Sequence, residues 1–168
     1  MGTKGEGFAN TLIFGSNVFK VLENINYPVL IIPQNADLKK LGKIAYATDL
    51  RSADLHIIEW LNELSEMLLA ELLVTHISSD TLSNQENDLS KKLTEGIYQD
   101  KFSKIHIRSF QGQNINDSLH EIIEQMNVDM LSMMHRKYGF FDGLIHASTS
   151  HKMVKHTKIP VLIFPDAE

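Results

Sequence analysis

The chain contains no cysteine. That absence excludes disulfides, thiolate zinc sites and a cysteine nucleophile, and it suits a reducing, cytoplasmic setting. Long apolar runs are missing too: no stretch approaches the roughly 20 residues that a membrane-spanning helix needs. The first ten residues are polar and glycine-rich, without the apolar core of a signal peptide. There is no excess of cations. The 16 Lys and Arg against 21 Asp and Glu give a formal charge of -5 at pH 7, which disfavours nucleic acid as a partner, because phosphate backbones demand clustered positive charge. Catalytic signatures are equally lacking: there is no G-x-S-x-G elbow, no H-E-x-x-H pair and no phosphate-loop lysine pattern. Ser148 stands near His151, but nothing in the sequence supplies an oxyanion hole or a third partner. The expectation is a protein that is not an enzyme.

What is present fits one α/β domain of usual size with a segment left over: 168 residues, 43% hydrophobic and 22% charged. The four prolines bracket two similar runs. Tyr27-Pro28-Val29-Leu30-Ile31-Ile32-Pro33 recurs as Ile159-Pro160-Val161-Leu162-Ile163-Phe164-Pro165, an offset of 132 positions. Each run is short, β-branched and bounded by proline, which reads as a buried strand. A helical pattern precedes each copy, at 16–24 and 148–156. Between the copies, strands are expected at 43–48, 71–77, 104–109 and 128–134. Helices are expected at 52–70, with Leu55, Ile58, Leu61, Leu64 and Leu68 on one face, at 87–99, and at 117–127 behind an Asn116 N-cap. Alternating strands and helices imply a parallel sheet covered on both faces, with ligands at the carboxyl ends of its strands. The polar stretch 34–41 is the expected boundary, dividing the chain into 1–37 and 38–168.

The sharpest motif lies at the start. Gly2-Thr3-Lys4-Gly5 is followed after nine residues by Gly15-Ser16, a G-x2-G-x9-G-S pattern, and then by a helix and the first proline-bounded strand. Glycines let a backbone approach phosphates closely, and a serine at a helix start offers a hydroxyl and free amides to an anion. This stretch resembles the ATP-binding signature, helix and last strand of the universal stress protein family. Residues 43–168 resemble a second domain of the same family: Ala47-Thr48-Asp49 is similar to the end of its first strand, where an aspartate meets the adenosine, Leu73-Val74-Thr75-His76-Ile77 to its second strand, and Gly112 with Val128-Asp129-Met130-Leu131 to the approach to its fourth. The resemblance implies a tandem, non-catalytic stress-response protein, with residues 1–37 the helix-strand remnant of a first domain and 38–168 a second. It implies a five-stranded parallel sheet of order 3-2-1-4-5 with helices on both faces, the arm strand 28–33 adding antiparallel at the edge. Candidate nucleotide-binding residues are Gly2, Gly5, Gly15, Ser16, Asp49 and Ser148, with ATP the implied ligand.

The departures carry equal weight. At the offset of 132, Gly2 falls on Met134, Gly5 on Lys137 and Gly15 on Ala147, and only Ser16 finds its like in Ser148. The second domain is therefore degenerate. The first keeps the glycines without its own aspartate. Asp49 also fits a residue capping a strand-to-helix turn. His135-Arg136-Lys137 could attract an anion other than ATP. Of the eight histidines, His146, His151 and His156 step by five, which walks around a helix rather than converging, so no metal is expected. Met126, Met130, Met133 and Met134 read as core filling. The apolar stripe Val18, Phe19, Leu22 and Ile25 of the arm lacks a sheet of its own, from which a homodimer through the last strands and the arm is expected.

Overall fold

The computed structural model describes residue 22 and residues 25–38, 41–48, 54–78, 105–112, 115–135 and 158–165. Six strands and two helices are described: β1 (Val29–Ile31), β2 (Lys43–Thr48), α1 (Asp54–Leu68), β3 (Glu71–Ser78), β4 (Ile105–Gln111), α2 (Ile115–Gln125), β5 (Met130–Met134) and β6 (Val161–Phe164). They form one sheet in the order β1-β6-β5-β2-β3-β4. The strands β2 to β6 are mutually parallel, and β1 runs antiparallel against β6. Counted from β2, the parallel part has the expected order, and the arm supplies the sixth strand at the edge.

The central strands are apolar almost throughout because both of their faces are covered. Every residue of β2 from Ile44 on is buried, as are all of β5 and β6. Ile44 and Tyr46 point to one face, where they meet Ile57, Ile58 and Leu61 of α1 together with Leu72, Val74, Met130, Met134, Leu162 and Phe164. Ala45 and Ala47 point to the other, where Leu119 and Ile122 of α2 join Leu73, Ile77, Leu131, Met133, Val161 and Ile163. Tyr46 is the largest fully buried side chain on the α1 side. At the outer edge, β4 alternates: Ile105 and Ile107 are half-buried, while His106 and Arg108 are exposed, the period-2 pattern of a half-covered edge strand.

Both helices stop in the same way. Leu69 and Asn127 adopt left-handed backbone with φ of 54° and 52°. Ala70 N–H donates to Ser65 O and Leu69 N–H to Glu66 O, and the same pattern joins Val128 to Ile123 and Asn127 to Glu124. These are Schellman caps, which satisfy carbonyls the helix leaves open. Helix α2 begins at Ile115, so Asn116 lies inside the first turn instead of capping it. The residue before Ile115 is also an asparagine, with the same capping chemistry.

Two features tie the arm and the domain entry down. Asp129 Oδ2 accepts from Gly42 N–H at 2.8 Å and Lys43 N–H at 2.9 Å, and Asp129 N–H donates to Lys43 O at 2.9 Å. This pins the amino ends of β2 and β5 together across 87 residues of chain. In the arm, Leu22 is buried in the α2-side cluster and Ile25 packs against it. At these two positions the apolar stripe is covered by the chain's own sheet, because β1 widens that sheet enough to receive it. Val18 and Phe19 lie outside the described residues, as do the expected helices at 87–99 and 148–156.

Candidate functional site

The strand order reverses between β2 and β5: from β2 the chain continues to β3 and β4 on one side, while β5 and β6 build out on the other. Helices α1 and α2 lie on opposite faces. This is the switch point of a doubly wound sheet, and in such sheets ligands bind beyond the carboxyl ends of the strands at that point. The candidate site is therefore the end of the sheet formed by Thr48, His76, Met134, His135 and Phe164.

The side chains there are buried and several are polar. Thr48 pairs with His76 across β2 and β3. His76 Nδ1 lies 3.0 Å from Thr48 O. A carbonyl oxygen only accepts, so in this contact Nδ1 is the donor. Thr75, one residue earlier, donates from Oγ1 to Tyr46 O at 3.2 Å. His135 N–H donates to Phe164 O at 2.7 Å, carrying the β5–β6 ladder past the last residue of β5. Deeper in the same strand, Ser132 is 0% exposed and its Oγ has no hydrogen-bond partner among the described residues. An unpaired buried hydroxyl costs about 1–3 kcal/mol. In register Ser132 stands between Tyr46 of β2 and Leu162 of β6.

Met134 decides what this end can do. By the repeat offset it occupies the position that Gly2 holds in the glycine motif. Its side chain is 2% exposed and belongs to the α1-side core with Tyr46, Leu162 and Phe164. Where the motif has a glycine, this position carries a thioether folded into the core. Behind it, Trp60 of α1 meets the Phe164 ring edge-on, with centroids 5.3 Å apart and planes at 82°. That geometry suits the opposed charge distributions of ring edge and ring face.

The expected site residues Gly2, Gly5, Gly15, Ser16, Asp49 and Ser148 lie outside the described residues. So do Arg136, Lys137, His146, His151 and His156. Of the anion cluster considered from sequence, only His135 is described, and it is buried at the strand end. Ser132 was not singled out from sequence; the available signal was one hydroxyl within the apolar run Met130-Leu131-Ser132-Met133-Met134. Among the described residues no three His, Asp or Glu side chains converge as metal ligands, and no helix is long and apolar enough to cross a membrane.

The sequence profile described as the universal stress protein family matches residues 40–165. No curated protein matches the chain. Among solved structures, a universal stress protein from Archaeoglobus fulgidus DSM 4304 superposes with a TM-score of 0.68 at 18% identity, over 89% of this chain and 54% of that one. A putative universal stress protein from Pseudomonas aeruginosa UCBPP-PA14 superposes at 0.70 and 16% identity, over 98% of this chain and 62% of that one. This chain thus spans little more than half the length of either. A universal stress protein in complex with cAMP superposes at 0.54 and 15% identity, over 73% of this chain and 95% of that one.

Proposed function

The chain belongs to the universal stress protein family, and we propose that it serves there as a non-catalytic, cytoplasmic stress-response module with divided labour. Residues 1–37 are the end of a first domain and carry the nucleotide contact through Gly2, Gly5, Gly15 and Ser16, with ATP as ligand. Residues 38–168 are a second domain whose own ligand end is degenerate, with Asp49 and Ser148 as what remains of a binding set, and which works by pairing. Burial of Met134 where the motif has glycine carries this reading. A nucleotide phosphate needs close backbone approach, and at the offset of 132 none of the three motif glycines is kept. Two facts about fold relatives are in keeping with it: one was solved with cAMP, an adenine nucleotide, and this chain covers only 54% and 62% of the length of two others.

The test is an ATP titration by calorimetry on the purified chain and on two variants. Binding that survives Asp49→Ala but is lost in Gly5→Val places the nucleotide on the arm motif, as proposed. Binding lost in Asp49→Ala and kept in Gly5→Val would overturn it. A bound anion lost in Lys137→Ala would replace it with a sensor built on His135, Arg136 and Lys137.

A further inference from the structure

The two edges of the sheet differ. One is β1, three residues long, and the other is β4, seven residues long. All of β4 pairs with β3 in one unbroken parallel register, from Ile105 opposite Leu72 to Gln111 opposite Ser78. The strand has no bulge and no proline. Shortness, bulges and prolines are the usual means of blunting an edge, and β4 uses none of them. Its outer row of backbone N–H and C=O groups has no strand beside it among the described residues. Such a row is a template for one more strand.

The side chains say which strand fits. Ile105 and Ile107 pack on the α1-side cluster and Phe110 on the α2-side cluster, so by alternation His106 and Arg108 share the α2 side with Phe110. Both His106 and Arg108 are exposed. Arg108 stands beside the uncharged Thr75 of β3, and no carboxylate pairs with it among the described residues. The chain as a whole carries -5, yet the stretch 101–116 holds Lys101, Lys104, His106 and Arg108 with no Asp or Glu. A second copy is therefore a poor occupant. Residues facing each other across an antiparallel pair lie on the same side of the sheet. The two registers that set Ile107 against an isoleucine also set Arg108 against Lys104 or His106, basic groups on both strands.

We propose that β4 is a docking edge for an extended acidic segment of a partner protein. The segment adds antiparallel as a seventh strand, with carboxylates facing His106 and Arg108 and apolar side chains facing Ile105 and Ile107. Backbone hydrogen bonds supply the attraction, while the cross-strand charge pairs fix the register and reject basic strands. The docking edge lies across the sheet from the arm, so this inference stands apart from the nucleotide reading.

The probe is the capped peptide Thr-Glu-Val-Glu-Val-Glu-Thr, with Thr-Lys-Val-Lys-Val-Lys-Thr as its opposite, each titrated calorimetrically into the full chain up to about 1 mM. The acidic peptide should bind and the basic one should not. Arg108 is exposed, so Arg108→Glu should keep the far-ultraviolet circular dichroism of the parent. That variant should weaken the acidic peptide by roughly tenfold and admit the basic one. Amide exchange places the peptide: it should slow exchange over Ile105–Gln111 and leave Val29–Ile31 at the other edge unchanged. The proposal is overturned if the acidic peptide fails to bind, if Arg108→Glu leaves its affinity unchanged, or if the protection falls on β1. It is equally overturned if light scattering shows the parent chain dimeric with β4 already protected by a second copy.

Discussion

Removing the Asp129 carboxylate should cost more than any surface substitution in this chain. The side chain does not ride on local sequence. It reaches across the sheet to accept two backbone N–H groups, from Gly42 at 2.8 Å and Lys43 at 2.9 Å. A hydrogen bond to a charged acceptor is worth about 1.5–3 kcal/mol. The site is part-buried, so water would replace some of what is lost. Asp129→Ala should therefore destabilise by about 2–4 kcal/mol, and Asp129→Asn, which keeps one acceptor oxygen without the charge, by about half of that. For a chain of this size each kcal/mol moves the midpoint by roughly 2–4 °C, so the alanine variant should melt about 4–16 °C lower. The assay is urea unfolding followed by far-ultraviolet circular dichroism, with thermal melts alongside. Since β2 and β5 part at their amino ends when the clamp goes, Lys43 and Ile44 amides should also exchange faster than those of Ala47. A loss below about 0.5 kcal/mol for Asp129→Ala, the range of an ordinary surface change, would refute the clamp.

Other outcomes follow from single positions. Leu69 is left-handed and 88% exposed, so it combines the backbone that favours glycine with a side chain that has nothing to pack on; Leu69→Gly should stabilise by about 1 kcal/mol and raise the melting midpoint by roughly 2–4 °C. A Cβ on Gly112 would collide with Ser118 Oγ and stand 3.2 Å from Ser118 Cβ, so Gly112→Ala should lower stability by about 1–3 kcal/mol in urea titration. Leu61 is fully buried on the sheet side of α1, and Leu61→Ala should cost about 2–5 kcal/mol through the cavity it leaves. Trp60 is the only tryptophan, so its emission reports the Phe164 contact: Phe164→Leu should shift the native spectrum to the red while leaving the unfolded spectrum unchanged.

The fold was legible where chemistry repeats along the chain. The proline-bounded runs gave β1 and its neighbour β6, and the change of period between strands and helices gave the other described elements. What escaped were features whose partners lie far away in sequence. The Asp129 clamp spans 87 residues and leaves no periodic trace. The start of α2 was misplaced because asparagines stand both before Ile115 and at 116, and either satisfies the chemistry of a cap. At the candidate site, the exchange of Gly2 for Met134 could be read from the offset. The direction of the methionine side chain could not, since strand residues alternate faces and only the packed sheet says which face is the core. Ser132 shows the same limit: a lone hydroxyl in an apolar run signals something unusual, yet its lack of a partner depends on Tyr46 and Leu162 standing beside it.

The two copies of the helix-strand unit agree and differ in an instructive pattern. Val29-Leu30-Ile31 and Val161-Leu162-Ile163 are identical, while Gly2, Gly5 and Gly15 face Met134, Lys137 and Ala147. The identical residues are those that pair between β1 and β6, and the differing ones are those that would approach a phosphate. These are separate physical demands. Strand pairing requires apolar side chains on the correct faces in one register, and it makes no use of what lies beyond the carboxyl end of the strand. Phosphate contact requires bare backbone at that end, and it makes no use of side chains at the seam. Met134 can therefore add to the core at the end of β5 without weakening the β1–β6 seam. The seam, in turn, can hold the arm in place whether or not any nucleotide is bound. The two demands are thus separable by substitution: changes at Leu30 or Leu162 should loosen the β1–β6 seam and speed amide exchange in both strands, while changes at the arm glycines should leave that exchange in place.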